Sequence, residues 1–452
     1  MIKTNKKIDL IFVKHLISKH FNLNAKAKRL NGEIDCNYLI SIKDEYYYLK
    51  IYPAGTSPKF VNYQIKILDY LEKNSETNFY PRNIKNNQNK KTGVFEDNTG
   101  QTRIFRLNSW TNGRLWSNVN PVNKKLRNNL GQSAGRLTRE LKNFKISKFQ
   151  INTDWDLAKS LWTIDYLDLF KNIKQKKIIK YFKKSFLKNI EGYNKLRKSF
   201  IHNDINDNNI IISNDISSPK IIGIIDFGDT IYSQTINDLA ITCVYAIINC
   251  NLPLEASLQI IKTYNNEYRL NENELFHLYN LIGMRLVTSL TKSAINKINF
   301  KDNKYLQISE KPAWNLIETW YNINQEFAYY SFRNACGFNP HPNYNKFKFW
   351  SKKQTIKLKD IFPNLIEKKI ENIDLSVGST WLGNSKNFED LDLFENKLNL
   401  LKLKNKNKLI CGGYLEARKL YNTKNYERLS NNGIENRTIH LGIDFWLPSS
   451  TP

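Results

Sequence analysis

The chain has 452 residues, 69 Lys and Arg against 42 Asp and Glu, and a formal net charge of +27. That length suffices for two or three domains with separate cores. No apolar run approaches the roughly 20 residues that a membrane helix requires, so a soluble, cytoplasmic protein without a membrane partner is expected. An amphipathic segment over residues 8–21 is followed by no small-residue cleavage site. Five cysteines, Cys36, Cys243, Cys250, Cys336 and Cys411, are odd in number and lack a metal-ligand spacing, so no disulfide framework is implied. The positive charge would suit nucleic acid, but the lysines are spread from end to end. The densest run, residues 402–408, falls in an expected linker, and no nucleic-acid motif is present. A compositional bias explains the charge better than a nucleic-acid partner.

In chain order, residues 25–30, 37–42 and 46–52 read as three strands separated by turn residues, a meander. Lys50 lies on the third, between Leu49 and Ile51. A helix is expected from about residue 58 to 73, with Gln64 within it and Glu72 near its end. Residues 104–114 read as an edge strand running into a connection. After Pro121 the period becomes helical: Leu126, Leu130, Ala134 and Leu137 share a face, and Gly131 and Gly135 permit close approach of a neighbour. Helices continue through Trp155-Asp156-Leu157 to Phe186, and resume from Ile236 to about Phe332. Asp238, at the start of that second group, is expected to brace the chain rather than react.

The chemistry concentrates between these helical stretches. His202-Asn203-Asp204-Ile205-Asn206-Asp207-Asn208-Asn209 places Asp204 and Asn209 five residues apart. At that spacing a loop can aim a carboxylate at a hydroxyl while an amide oxygen reaches a metal ion. Asp226 follows Ile221-Ile222-Gly223-Ile224-Ile225, a β-branched run expected to form a buried strand and deliver its last residue to a rigid position. An Asn/Asp-rich loop alone would be an ordinary polar turn. Together the two segments read as a phosphoryl-transfer site, which needs a triphosphate held, its charge neutralised and an acceptor oxygen aligned.

At these residues the chain resembles the aminoglycoside phosphotransferase and choline kinase superfamily, whose pattern is His-Gly-Asp, four residues and Asn, then Ile-Asp-Phe-Gly. The nearer resemblance is to hydroxylysine kinase-like members. It implies an α+β, bilobal protein-kinase-like fold, with an antiparallel sheet lobe over residues 1–112 and a mostly helical lobe over 113–345. By the same resemblance Asp204 is the catalytic base, His202 orders its loop, Asn209 and Asp226 hold magnesium, and Lys50 pairs with the α- and β-phosphates of ATP. The turn from Gly32 to Asn37 takes the place of the phosphate-covering loop, with Glu33 and Asn37 at the nucleotide. An adenine would stack near the connection after residue 104. Asn203 stands where the family has Gly, and a left-handed backbone is tolerable for Asn. The usual helix Glu partner of the lysine is absent, and Gln64 stands nearer its place. Asp229 and Arg285 are the candidate substrate contacts, Arg285 meeting either a substrate carboxylate or a surface acid. The implied activity is phosphorylation of a small-molecule hydroxyl on an amino alcohol or hydroxy amino acid. An aminoglycoside or choline kinase is the alternative.

Residues 346–372 are expected to form a linker, and 373–452 a partial β-rich domain. There His440 and Asp444 lie four apart, and His-x-Gly-x-Asp resembles the first zinc-ligand pair of lysostaphin-type zinc peptidases. No later His completes the set, and a catalytic zinc normally takes three ligands plus water. The order of parts resembles bacterial fusions that continue into an aminotransferase-like domain, so further fused domains are expected to be missing from this chain.

Overall fold

The computed structural model describes residues 8–30, 32, 35–75, 78–146, 151–299, 310–361, 369–430 and 433–446. It divides into two compact units, Met1–Ser160 with Arg197–Ala246, and Leu161–Leu196 with Ile247–Pro452.

The first unit opens with helix α1 (Leu10–Phe21), which begins where Asp9 accepts the Ile11 N–H and ends at Asn22 in the left-handed region (φ 55°). Its Val13, Leu16 and Ile17 are buried. Strands β1 (Lys26–Leu30), β2 (Cys36–Ile42), β3 (Glu45–Ile51), β4 (Asn83–Ile84), β5 (Gly93–Glu96) and β6 (Thr102–Ser109) form an antiparallel sheet in the order β1-β2-β3-β6-β4, with β5 also on β6. The period of two sorts each strand. Tyr38 and Ile40 of β2, Leu49 and Ile51 of β3, and Phe105 and Leu107 of β6 pack with α1 in one core. Lys50 and Arg106 therefore fall on the other face. There Tyr52 packs with Val61 and Ile65 of helix α2 (Pro58–Asn74), which starts on a proline whose missing N–H costs nothing at that position.

Helix α3 (Lys124–Leu141) buries Leu126, Leu130, Ala134, Leu137 and Leu141. Beyond it, Lys198–Ile201 pairs with Ile231–Gln234, and Ile210–Ile212 pairs with Ile221–Ile224, both antiparallel. These two ribbons hold the loop from His202 to Asn209 and the segment from Asp226 to Asp229.

The second unit is helical through Ile173–Lys188, Pro253–Glu267, Glu272–Asn299, Glu310–Tyr321 and Gln325–Ala335. Its C-terminal part adds short strands, including Ile370–Asn372, Leu409–Cys411 and Phe445–Trp446 in one three-stranded sheet. A helix, Leu391–Lys404, packs there through Leu398 onto Ile373, Leu375, Phe388, Ile410 and Leu420. Lys402 and Lys404 belong to the last turn of that helix rather than to the expected linker. Cations there complement the helix dipole. The strands also pack on helix Gln325–Ala335, where Tyr330 contacts Val377 and Ala417. No described helix is long and apolar enough to cross a membrane.

Helix Glu272–Asn299 approaches Ile173–Lys188 through Gly283. A Cβ built there would lie 2.2 Å from Phe182 Cδ1, on a ring that is fully buried. Alanine favours helix over glycine by about 1 kcal/mol, yet overpacking costs about 1–3 kcal/mol. Gly283→Ala is therefore expected to lower stability in urea unfolding, and an increase would show that the two helices are not held this closely.

Candidate active site

Asp238 anchors the loop. Buried in the first turn of helix Ile236–Ile247, its carboxylate accepts the backbone N–H of His202 at 2.8 Å and of Asn203 at 2.7 Å. Asn203 takes a left-handed backbone (φ 67°), which turns the chain so that Asp204 follows directly. The His202 ring is fully buried: its Nε2 lies 3.0 Å from the Ile225 carbonyl and its Nδ1 accepts the Asp204 N–H at 3.2 Å. Those two contacts select the Nε2–H tautomer. Phe227 packs on the ring at 4.6 Å between centroids. His202 thus joins the Asp204 loop and the Asp226 segment through backbone groups.

The half-buried Asp204 carboxylate accepts the side-chain amides of Asn206 and Asn209, each at 2.9 Å on Oδ2. Asn209 also donates to the Asp204 carbonyl at 2.9 Å. With its amide nitrogen committed, Asn209 keeps Oδ1 for a metal. Its own carbonyl accepts the Ile225 N–H at 2.9 Å, extending the ladder between the paired strands. Asn209 and Asp226 therefore stand at the same end of one ribbon. Asp226 sits at φ 58° and accepts the Gly228 N–H at 3.2 Å, which turns its side chain, 46% exposed, out of the strand. Asn209 and Asp226 offer hard oxygen donors of the kind magnesium takes, and that ion needs only one or two carboxylates when phosphates complete its shell. Among the described residues no group of three or more His, Cys, Asp or Glu gathers around a metal position.

Lys50 is 4% exposed and bonds two carboxylates, Asp35 at 2.7 Å and Asp226 at 3.6 Å. Burial alone would push its pKa down, but Asp226 and Asp35 outweigh it and hold the ammonium well above its ordinary value. In return Lys50 draws the Asp226 carboxyl below the usual range, against the effect of burial. Asn37 stands directly opposite Lys50 on β2, and Arg106 opposite it on β6. Glu33 lies outside the described residues. Gly32 is packed so closely that a Cβ would meet Asn37 Nδ2 at 2.5 Å and the Asp35 carbonyl at 2.7 Å.

Gln64 does not pair with Lys50. It is buried, its Oε1 accepts from the Tyr52 hydroxyl at 2.6 Å and from Arg106 at 3.1 Å, and its Nε2 donates to the Gly228 carbonyl at 3.3 Å. An anionic partner of Lys50 comes from the turn before β2, as Asp35. Sequence reasoning passed over Asp35 and Arg106. Their signals were present: Asp35 shares the turn with Glu33 and Asn37, and Arg106 sits between Phe105 and Leu107 on β6.

Asp229 ends the short turn Phe227–Asp229 and is half-buried. Arg285 is 1% exposed in helix Glu272–Asn299 of the second unit, so it is no surface group. In that same unit His440 Nε2 lies 3.4 Å from Asp444 Oδ1, and His440 Nδ1 bonds the Tyr421 hydroxyl at 2.5 Å. Asp444 is already paired with Arg418, whose guanidinium also bonds Glu416 at 2.8 Å. Burial and then the Arg418 charge keep the His440 pKa below its ordinary value. Tyr421 and His440 face a cavity of about 760 Å³.

The phosphotransferase enzyme family (APH) matches residues 26–269, and the chain belongs to that family. Hydroxylysine kinase of Xenopus laevis is 28% identical over 184 residues, covering 38% of this chain and 48% of that protein. Overall the chain spans about half the length of the curated relatives it matches. An amicoumacin kinase solved with AMP-PNP and Ca2+ superposes with a TM-score of 0.53 at 15% identity, over 69% of this chain and 94% of that one. A microcompartment-associated aminopropanol kinase gives 0.52 at 13% identity, over 72% and 98%. At such identities these likenesses carry the fold: an antiparallel sheet region with a helical lobe, to which this chain adds C-terminal β elements.

Because two backbone N–H groups end on the buried Asp238 carboxylate, Asp238→Ala strands both. Hydrogen bonds to charged groups contribute about 1.5–3 kcal/mol each, so a loss of about 3 kcal/mol or more is expected in urea unfolding. A loss under about 1 kcal/mol would show that the loop holds its turn without Asp238.

Proposed function

We propose that this family member is an ATP- and magnesium-dependent kinase that phosphorylates a hydroxyl of an amino alcohol or hydroxy amino acid of the hydroxylysine or ethanolamine type. The observation that carries the reading is the convergence in one compact unit of Asp204, Asn209, Asp226 and Lys50, through the bonds from Asn209 to Asp204 and from Lys50 to Asp226. Phosphoryl transfer is catalysed mainly by positioning and charge neutralisation, and this cluster is built for both. Asp204, its orientation fixed by two Asn amides, aligns the acceptor hydroxyl and takes its proton. His202 is a positioning residue that links the Asp204 backbone to the Asp226 segment. Lys50 presents a permanent positive charge to the α- and β-phosphates, with Asn37 beside it. Asn209 and Asp226 hold magnesium, which when bound neutralises phosphate charge.

The acceptor class is supported by the hydroxylysine kinase relatives. Asp229, in the same unit as the cluster, is assigned to the substrate, where its charge suits an amine. The C-terminal segment is read as non-peptidase, because Arg418 already neutralises the Asp444 carboxylate that a zinc ion would need. A cytoplasmic setting follows from the need for ATP.

The direct test is ADP release over hydroxylysine, ethanolamine, choline and aminoglycosides. Release with hydroxylysine or ethanolamine is expected, while turnover confined to aminoglycosides or choline would overturn the acceptor class. Asp204→Asn should lower turnover by about two to four orders of magnitude and leave ATP binding nearly intact; a wild-type rate would remove Asp204 from the mechanism. Asp226→Ala should raise the magnesium concentration for half-maximal rate more than Asn209→Ala, since it removes a full charge. Equal magnesium dependence in both variants and wild type would overturn the metal assignment.

A further inference from the structure

Arg106 is a buried cation whose bonding is incomplete. It is 4% exposed, yet among the described residues Nε and Nη1 are buried with no hydrogen-bond partner, while Nη2 donates to the neutral Gln64 amide. Arg103, three residues earlier on the same strand and equally buried, is matched by Asp97 at 2.7 Å. Arg333 is likewise matched by Glu272. A buried guanidinium with idle donors is costly, and a purely structural arginine would be paired as those two are.

The register sharpens the point. Lys50 and Arg106 are directly opposite each other on β3 and β6, so they share a face at the distance of a cross-strand pair. Like charges so placed are destabilising, and both are buried. Asp35 and Asp226 compensate Lys50, but neither carboxylate hydrogen-bonds Arg106. When Asp226 turns to a metal, the two cations keep Asp35 alone. An anion with several oxygens is what the arrangement lacks.

We propose that Arg106 is a second phosphate-binding cation of the nucleotide site, donating through Nε and Nη1 to phosphate oxygens beside Lys50, with Gln64 as the positioning residue that holds its guanidinium. The inference rests on the kinase reading and extends it. The planar fork of arginine fits two phosphate oxygens at once, which a lysine cannot do. Gln64 suits this role better than a glutamate would, because a carboxylate there would neutralise the charge that the phosphate needs. Tyr52, whose hydroxyl bonds Gln64 at 2.6 Å and whose ring lies 5.9 Å from the guanidinium, fixes that amide in turn.

Dissociation constants for ATP and for adenosine, measured calorimetrically on wild type, Arg106→Met and Arg106→Lys, test the proposal. Loss of charge-assisted bonds to phosphate should weaken ATP about 10- to 100-fold in Arg106→Met and leave adenosine unchanged. Arg106→Lys, which keeps the charge and loses the fork, should fall between. If Arg106→Met does not fold, Arg106→Lys decides, because its predicted loss is confined to ATP. Unchanged ATP affinity, or equal losses for ATP and adenosine, would overturn the proposal. A wild-type protein that binds no ATP would overturn the kinase reading itself, and this inference with it.

Discussion

A lysine ammonium buried on the inner face of a sheet is tolerable only with anions beside it. Lys50 has two, and they come from different parts of the chain: Asp35 from the turn between the first two strands, Asp226 from the end of a strand nearly two hundred residues later. Satisfying one charge therefore ties the N-terminal sheet to the segment that carries Asp226. The same constraint makes the site responsive. A carboxylate shared between Lys50 and a metal could not fully serve both, so under the proposed function metal loading would leave Lys50 free for a nucleotide's phosphates.

The helix α2 supports this arrangement without contributing charge. Gln64 falls on its buried stripe with Val61, Ile65, Leu68 and Leu71, where a polar side chain must find partners. Its three bonds reach Tyr52 just after β3, Arg106 on β6 and the Gly228 carbonyl, while Tyr63 on the same helix donates to the Thr230 carbonyl at 2.8 Å. Movement of the helix would thus be felt by both the sheet and the Asp226 segment. In a protein-kinase-like fold that coupling ordinarily runs through a lysine–glutamate pair; here the helix contributes a neutral amide, Gln64, and the lysine's anionic partner is Asp35.

Much of this was legible in the sequence, for reasons that differ by residue. Alternation placed Lys50 on β3, a proline start and an apolar stripe placed α2, and a β-branched run delivered Asp226 where a strand ends. Asn203 was readable as a left-handed position because few other side chains accept one. The partner of Lys50 was not readable, since the pairing of Asp35 with it depends on how a turn folds back over the sheet, and turns carry weak local signals. Arg106 was hidden for a related reason: only the β3–β6 register, a long-range pairing, sets it opposite Lys50. In the C-terminal part, the helix Leu391–Lys404 was masked by its lysines, which read as a solvated connection until the buried Leu398 is seen in place.

If Asp226 passes from Lys50 to a metal, as the proposed function requires, metal and nucleotide binding are linked thermodynamically. Electron paramagnetic resonance of added Mn2+, titrated into the full chain with and without ATP, reads that linkage directly. The account predicts weak Mn2+ binding by the protein alone and much tighter protein-bound Mn2+ once ATP is present, with Asp226→Ala abolishing the difference. Mn2+ bound equally well with and without ATP, or unaffected by loss of Asp226, would contradict it.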